Sequence, residues 1–204
     1  MILNCTPPYN QHIPNPALGY LKGFLEARGI TVTNVYWNLI LAGIISNHQK
    51  GLEEYTHDKD SFTILPILHL FKQLHPEKSS ETPLDYLYLS IYSREELDEM
   101  AHSLKDTIDS LIKQHTLHEA LNGFTLKSYQ WILGSYLISR LKEMNPDATI
   151  VIGGVTNKDQ GRAFMRLFPQ VDFAIYGEGE YPLYYLATAL EQETPVTDVP
   201  NLIY

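Results

Sequence analysis

Thr149-Ile150-Val151-Ile152-Gly153-Gly154 and Val171-Asp172-Phe173-Ala174-Ile175-Tyr176-Gly177-Glu178-Gly179-Glu180 decide the architecture of this chain. Each contains a short apolar run of the kind that fills a strand buried on both faces, and each run ends in a glycine loop. Helical spacing follows both, over Gln160 to Phe168 and Tyr181 to Glu191. Strand, glycine loop and helix, twice in succession, call for right-handed crossovers and so for a parallel sheet covered on both faces.

Working outward, the same rhythm precedes these segments. Ala120-Leu121-Asn122-Gly123-Phe124-Thr125 reads as a short strand, followed by a helix from Ser128 to Met144 that Asn145-Pro146 ends. At the N-terminus, Ile2 to Cys5 is a buried strand emptying into Thr6-Pro7-Pro8, where proline cannot continue a ladder. Pro16 suits an early helix position, Leu18, Leu21, Phe24 and Leu25 recur at helical spacing, and Gly29 stops the pattern. Thr31 to Trp37 is β-branched and aromatic and reads as the second strand. The sheet therefore has about five strands, with Asn201-Leu202-Ile203-Tyr204 a sixth or a linker.

Residues 39 to 119 break the rhythm with three helical stretches, read as an insertion into a single domain spanning 1–204. The first runs from Leu39 to about Tyr55. The second starts near Ser61, with Leu65, Leu68 and Phe71 on one face. The third, Ser93 to His115, opens on a serine followed by Glu95-Glu96, resembling a capping box, and carries Leu97, Met100, Leu104, Ile108, Leu111 and Ile112. Tyr86, Tyr88 and Tyr92 just before it are expected to pack between helices. The insertion is expected to sit against the sheet rather than to fold alone, because its apolar stripes form no closed core of their own.

Composition narrows the function classes. Apolar residues make up 44% and charged residues 19% of the 204, an ordinary balance for a folded domain. A formal charge of −9 leaves no electrostatic footprint for phosphate backbones or anionic lipid, so neither nucleic acid nor a membrane is expected as a partner. The single cysteine, Cys5, builds neither a disulfide framework nor a metal cluster, which points to the cytoplasm. The apolar start is too short, and too soon broken by proline, for a signal peptide.

In an open parallel sheet the ligand crevice lies outside the carboxyl ends of the strands. The loops that matter are Thr6 to Asn15, Thr125 to Gln130, Gly153 to Asn157 and Gly177 to Tyr181. Glycine there lets a flat or bulky ligand approach the backbone, although a tight turn with no ligand also explains it. Glu178 and Glu180 read as an acid and base pair or, in the favoured reading, as carboxylates of a helix first turn. Neither a phosphate-loop nor a dinucleotide fingerprint occurs. His12 is the histidine of the first loop. His48, His57, His69, His75, His102, His115 and His118 fall in or beside the insertion without metal-site spacing.

Taken in order, Thr6-Pro7-Pro8 with Asn15-Pro16-Ala17-Leu18-Gly19-Tyr20-Leu21, Gly123-Phe124-Thr125 with Gln130, Ile150-Val151-Ile152-Gly153-Gly154 and Asp172 to Glu180 resemble the N-terminal cobalamin-binding-type domain of radical SAM proteins. The likeness covers roughly residues 1 to 38 and 120 to 204. Within that family the nearest likeness is to the branch that matures ribosomally made peptides. The resemblance implies a flavodoxin-like, Rossmann-like sheet whose strand-end loops hold cobalamin, with Thr6, Pro7, Pro8, Asn10, Thr125, Gln130, Gly153, Gly154, Val155, Thr156, Gly177, Glu178, Gly179 and Glu180 around it. It also implies a radical SAM domain after residue 204 carrying the [4Fe–4S] cluster and S-adenosylmethionine, since the C-x-x-x-C-x-x-C triad does not occur here. The D-x-H-x-x-G motif that supplies a histidine to cobalt is missing. His48-Gln49-Lys50-Gly51 gives H-x-x-G, but Ser46 takes the aspartate position, so cobalamin is expected without histidine ligation.

The expected function is thus a cobalamin-binding module that serves a radical SAM enzyme in methyl transfer or a related modification of a peptide or small molecule. By itself it is expected to bind no iron–sulfur cluster. The alternatives are a docking module that has lost the cofactor and a flavodoxin-like domain for flavin or nucleotide.

Overall fold

The computed structural model describes residues 1–7, 15–48, 69–74, 92–114, 121–125, 127 and 130–204, with the backbone alone for 45–48. Strands β1 (Ile2–Cys5), β2 (Thr33–Tyr36), β3 (Asn122–Thr125), β4 (Ile150–Val155), β5 (Phe173–Tyr176) and β6 (Leu202–Ile203) form one sheet in the order β2-β1-β3-β4-β5-β6. The first five are parallel. β6 pairs antiparallel with β5, Ala174 opposite Ile203 and Ile175 opposite Leu202, so the C-terminal segment is a strand and the sheet is mixed at that edge. The parallel order 2-1-3-4-5 is that of the flavodoxin-like doubly wound fold.

Helices α1 (Pro16–Glu26), α2 (Trp37–His48), α3 (Arg94–Gln114), α4 (Trp131–Met144), α5 (Lys158–Leu167) and α6 (Glu180–Glu191) divide between the two faces. Strand alternation explains the division. Leu3, Cys5, Val151 and Ile175 point to the side where Leu18 and Leu25 of α1 and Leu183 and Leu186 of α6 close over them. Ile2, Ile150, Ile152 and Ala174 point to the opposite side, under α2, α3, α4 and α5.

The expected insertion is described in part. Its first helix starts at Trp37, directly after β2, and is described to His48. Of the second, residues 69–74 are helical, while Leu65 and Leu68 lie outside the described residues, as do Tyr86 and Tyr88. Tyr92 is buried. The third is α3. Ser93 Oγ accepts from the Glu96 amide at 3.2 Å while Glu96 Oε2 accepts from the Ser93 amide at 2.8 Å, a reciprocal cap that fixes where the helix starts. Its buried stripe of Leu97, Met100, Leu104, Ile108 and Ile112 follows helical spacing. Ala101, Leu104, Ile108 and Ile112 share one apolar cluster with Phe124 and Ile152 of the sheet and Ile132 and Leu137 of α4. Arg140 of α4 grips Asp109 of α3 through Nε and Nη2 at 2.8 and 3.0 Å. Desolvation alone would raise the Asp109 pKa, but the Arg140 and Lys105 contacts outweigh it and hold the carboxyl below its ordinary value.

Two boundaries differ from the sequence expectation: Trp37 opens α2 instead of ending β2, and the end of β4 lies further on. β4 runs on through Gly153 and Gly154 to Val155 instead of ending before them. Between Ile152, opposite Ala174, and Val155, opposite Tyr176, β4 carries one residue more than β5. Such a bulge needs a residue outside the extended region, and Gly154, at φ +80°, supplies it.

Because α3 shares its core with the sheet, truncating it should weaken the whole fold. Ile108→Ala is expected to cost about 2–5 kcal/mol in urea unfolding, with the helical far-ultraviolet signal and the tryptophan signal lost together. Two separated transitions would show that the inserted helices form a unit of their own.

Candidate functional site

With β1 between β2 and β3, the chain leaves β1 toward one edge of the sheet and later returns to build the other. Strand order reverses there, and the crevice opens at the carboxyl ends of β1, β3, β4 and β5. A cleft of about 520 Å³ occupies this position, within the usual range for small-molecule sites. Its apolar floor comes from Leu3, Val151 and Ile175 of the strands and from Leu18, Leu21 and Leu183 of α1 and α6. Thr125, Lys127, Glu178 and Glu180 give it a polar rim, and the buried side chains of Asn15 and Gln130 also border it.

Of the residues expected at a ligand, Thr125, Gln130, Gly153, Gly154, Gly177, Glu178, Gly179 and Glu180 line this cleft together. The others stand apart. Thr6 is fully buried; its hydroxyl donates to the Gln130 carbonyl at 3.2 Å, and the Gln130 side-chain amide donates back to the Thr6 carbonyl at 3.0 Å. This reciprocal pair ties the end of β1 to the start of α4 across 124 residues of chain and leaves the Thr6 side chain no part in the lining. Pro7 is buried and does not line the cleft. Val155 turns into the opposite core because the bulge at Gly154 re-aims it, and Thr156 is exposed, its amide donating to Gln160 Oε1 at 2.7 Å. Pro8, Asn10 and His12 lie outside the described residues.

The glycines do different work. A side chain at Gly153 would meet nothing within 4 Å, and its φ is ordinary, so it offers bare backbone to the cleft. Gly154 and Gly177 have φ of +80° and +74° and are there for backbone shape.

Residues of the candidate loops and of α1 that were given no ligand role from the sequence complete the site. Asn15 caps α1, its Oδ1 accepting from the amides of Ala17 and Leu18 at 3.0 and 3.4 Å, while Nδ2 donates to Cys5 Sγ at 3.6 Å. Asn followed by Pro at the first helical turn was the signal that marked it. Lys127 is the cation of the described lining and Tyr20 stands at its edge. Nothing local distinguishes Lys127 from any other loop lysine.

Two helix amino ends, those of α1 and α6, reach the cleft, and Gly179 caps α6 without a side-chain hydrogen bond. The first-turn carboxylate Glu180 and its neighbour Glu178 complement that end of the dipole. Burial pushes the Cys5 thiol up, the Asn15 contact opposing it, and Cys5 is outside the lining. Among the described residues no three His, Cys, Asp or Glu side chains group as a metal site, the lining contains no histidine, and no helix is long and apolar enough to cross a membrane. Comparison with known proteins finds no matching family, no matching curated protein and no matching solved structure.

The Thr6 and Gln130 pair sets the spacing of two lips of the cleft, and its worth is measurable. Thr6→Val leaves the Gln130 carbonyl without its donor and should cost about 1–3 kcal/mol in urea unfolding. Thr6→Ser keeps the hydroxyl and should cost only about 0.8 kcal/mol for the lost methyl group. Equal stabilities for the two variants would show that the hydrogen bond contributes nothing.

Proposed function

We propose that this chain is the cofactor-binding module of a radical SAM protein and that its cleft takes cobalamin. The observation that carries this reading is the bare backbone of Gly153, set over an apolar floor at the reversal point of a 2-1-3-4-5 sheet. A broad, flat ring with an apolar face and a polar periphery fits a site of that kind. Gly153 and Gly179 let its edge approach the main chain. Leu3, Val151, Ile175 and Leu183 keep water from one face, and Thr125, Lys127, Glu178 and Glu180 are the polar residues for its periphery. With no histidine in the described lining, the reading assigns no cobalt ligand to these residues. The chemistry that bound cobalamin would supply is methyl carriage, and the protein's part is to hold and orient it. The [4Fe–4S] cluster and S-adenosylmethionine belong, in this proposal, to a radical SAM domain acting on a peptide or small molecule.

A second reading has one observation in its favour. The same strand order holds flavin mononucleotide at the same switch point in flavodoxin-like proteins, so that flavin is the comparison ligand.

Titration of the wild-type protein with hydroxocobalamin, followed by its visible spectrum, should show saturable binding. Gly153→Leu should lower the affinity about tenfold to a hundredfold, the equivalent of an overpacking clash of about 1–3 kcal/mol. Its thermal midpoint should stay unchanged, because the added side chain starts in open space. Gly154→Leu is the less informative variant, since its positive φ strains the backbone whatever the ligand. A folded wild-type protein that ignores cobalamin but binds flavin mononucleotide would transfer the site to the second reading. One that binds neither would leave the domain as a docking module.

A further inference from the structure

Three of the large apolar side chains most exposed among the described residues belong to α1 and α6: Tyr20 at 65%, Tyr181 at 54% and Tyr185 at 46%. Tyr20, Phe24 and Arg28 follow one another at four-residue spacing from α1 into the turn after it, and Tyr181 and Tyr185 do the same on α6, so each set forms a stripe. The stripes meet where Phe24 packs edge-on against Tyr181, ring centroids 5.0 Å apart. Tyr181 stacks with Tyr185 at 6.2 Å, and Tyr184 adds a fourth tyrosine 5.4 Å from Tyr185. The result is an aromatic shelf of Phe24, Tyr181, Tyr184 and Tyr185, with Tyr20, one helical turn before Phe24, at the edge of the cleft.

The charges along α6 and its flanks are one-sided, while α1 and the turn after it bring Lys22 and Arg28. Residues 177–193 include Glu178, Glu180, Glu191 and Glu193 and no lysine, arginine or histidine. On α1, Lys22 is held by Glu26 at 2.6 Å. The Arg28 guanidinium lies 3.6 Å from the centroid of Phe24 and 5.6 Å from that of Tyr181, so the shelf already seats one cation of its own on an aromatic face. Exposed tyrosines of this density mark binding surfaces, because a rigid ring gives large contact area at little entropic cost and its hydroxyl stays solvated.

We propose that this shelf docks a cationic peptide segment, its arginine or lysine side chains lying on Tyr181 and Tyr185 and meeting the carboxylates along α6. The inference is independent of what fills the cleft. It differs from attraction by net charge alone in requiring the rings, and it differs from self-association because the partner's charge is opposite in sign to the −9 of this chain.

Fluorescence anisotropy with a labelled short peptide of alternating arginine and glycine, at physiological salt, tests it on the full chain. The peptide should bind saturably, and its counterpart with glutamate in place of arginine should not. The Tyr181→Ser, Tyr185→Ser double variant should bind about tenfold more weakly. Tyr204→Ser, which removes a ring equally exposed at 65%, should bind as the wild type does. Tyr181 packs on Phe24, so the double variant should melt somewhat lower, and its far-ultraviolet spectrum at the assay temperature should match that of the wild type, so that folded proteins are compared. Equal affinity of the double variant and the wild type would reduce the effect to charge and overturn the proposal. So would a failure to saturate, or sedimentation showing a dimer that the double variant dissolves.

Discussion

The carboxamide of Asn4 is buried, with its hydrogen-bonding needs met from distant segments. Nδ2 donates to Asn122 Oδ1 and to the Gly123 carbonyl, each at 3.2 Å, and Oδ1 accepts from the Trp37 indole at 2.9 Å. Left unpaired, such a group would cost several times what one hydrogen bond contributes. The arrangement therefore tolerates one placement of β1, beside β3 and under α2. From that placement the rest follows: β2 takes the free side of β1, the later strands grow away on the other, and the crevice opens at the reversal. Thr6 and Gln130 repeat the same logic at the strand's end.

Both faces of the sheet are then closed, but by different means. One is covered by α1 and α6, the first and last helices, which meet through Phe24 and Tyr181 and, where Leu21 Cδ2 lies 3.8 Å from the position a side chain at Gly179 would take, leave a cleft below. The other is covered by α4 and α5 together with α2 and α3, so the long connection between β2 and β3 supplies part of the core instead of decorating it. The reciprocal cap of Ser93 and Glu96 fixes where α3 starts, and the Asp109 and Arg140 pair fixes it laterally to α4.

The two helices over the cleft face serve two surfaces at once. Their inward residues, Leu18, Leu21 and Leu183, make the cleft floor. Their outward residues include Tyr181 and Tyr185 of the aromatic shelf and Tyr20 beside it. Helical periodicity imposes this division: a helix that gives aliphatic residues to one side has its other side free for rings. A ligand in the cleft and a peptide on the shelf would thus be neighbours sharing a scaffold, with Tyr20 at the border.

The order of strands and helices, the buried runs, the Pro16 and Ser93 starts of α1 and α3 and the placing of Thr125, Gly153, Gly177 and Glu178 near strand ends were legible in the sequence, because periodicity and capping are local properties. What the sequence did not contain was anything set by a partner far along the chain. That β4 continues through its glycines as a bulge depends on its register with β5, and this register sends Val155 into the core and Thr156 to solvent. That Thr6 and Gln130 bond each other depends on β1 and α4 being neighbours after 124 residues of chain. The antiparallel sense of β6, the apolar floor assembled from α1, α6 and three strands, and the joining of two aromatic stripes into one shelf are likewise consequences of strand order. Local chemistry determined which segments become strands and helices; only the closing of the sheet around β1 decided which side chains face one another.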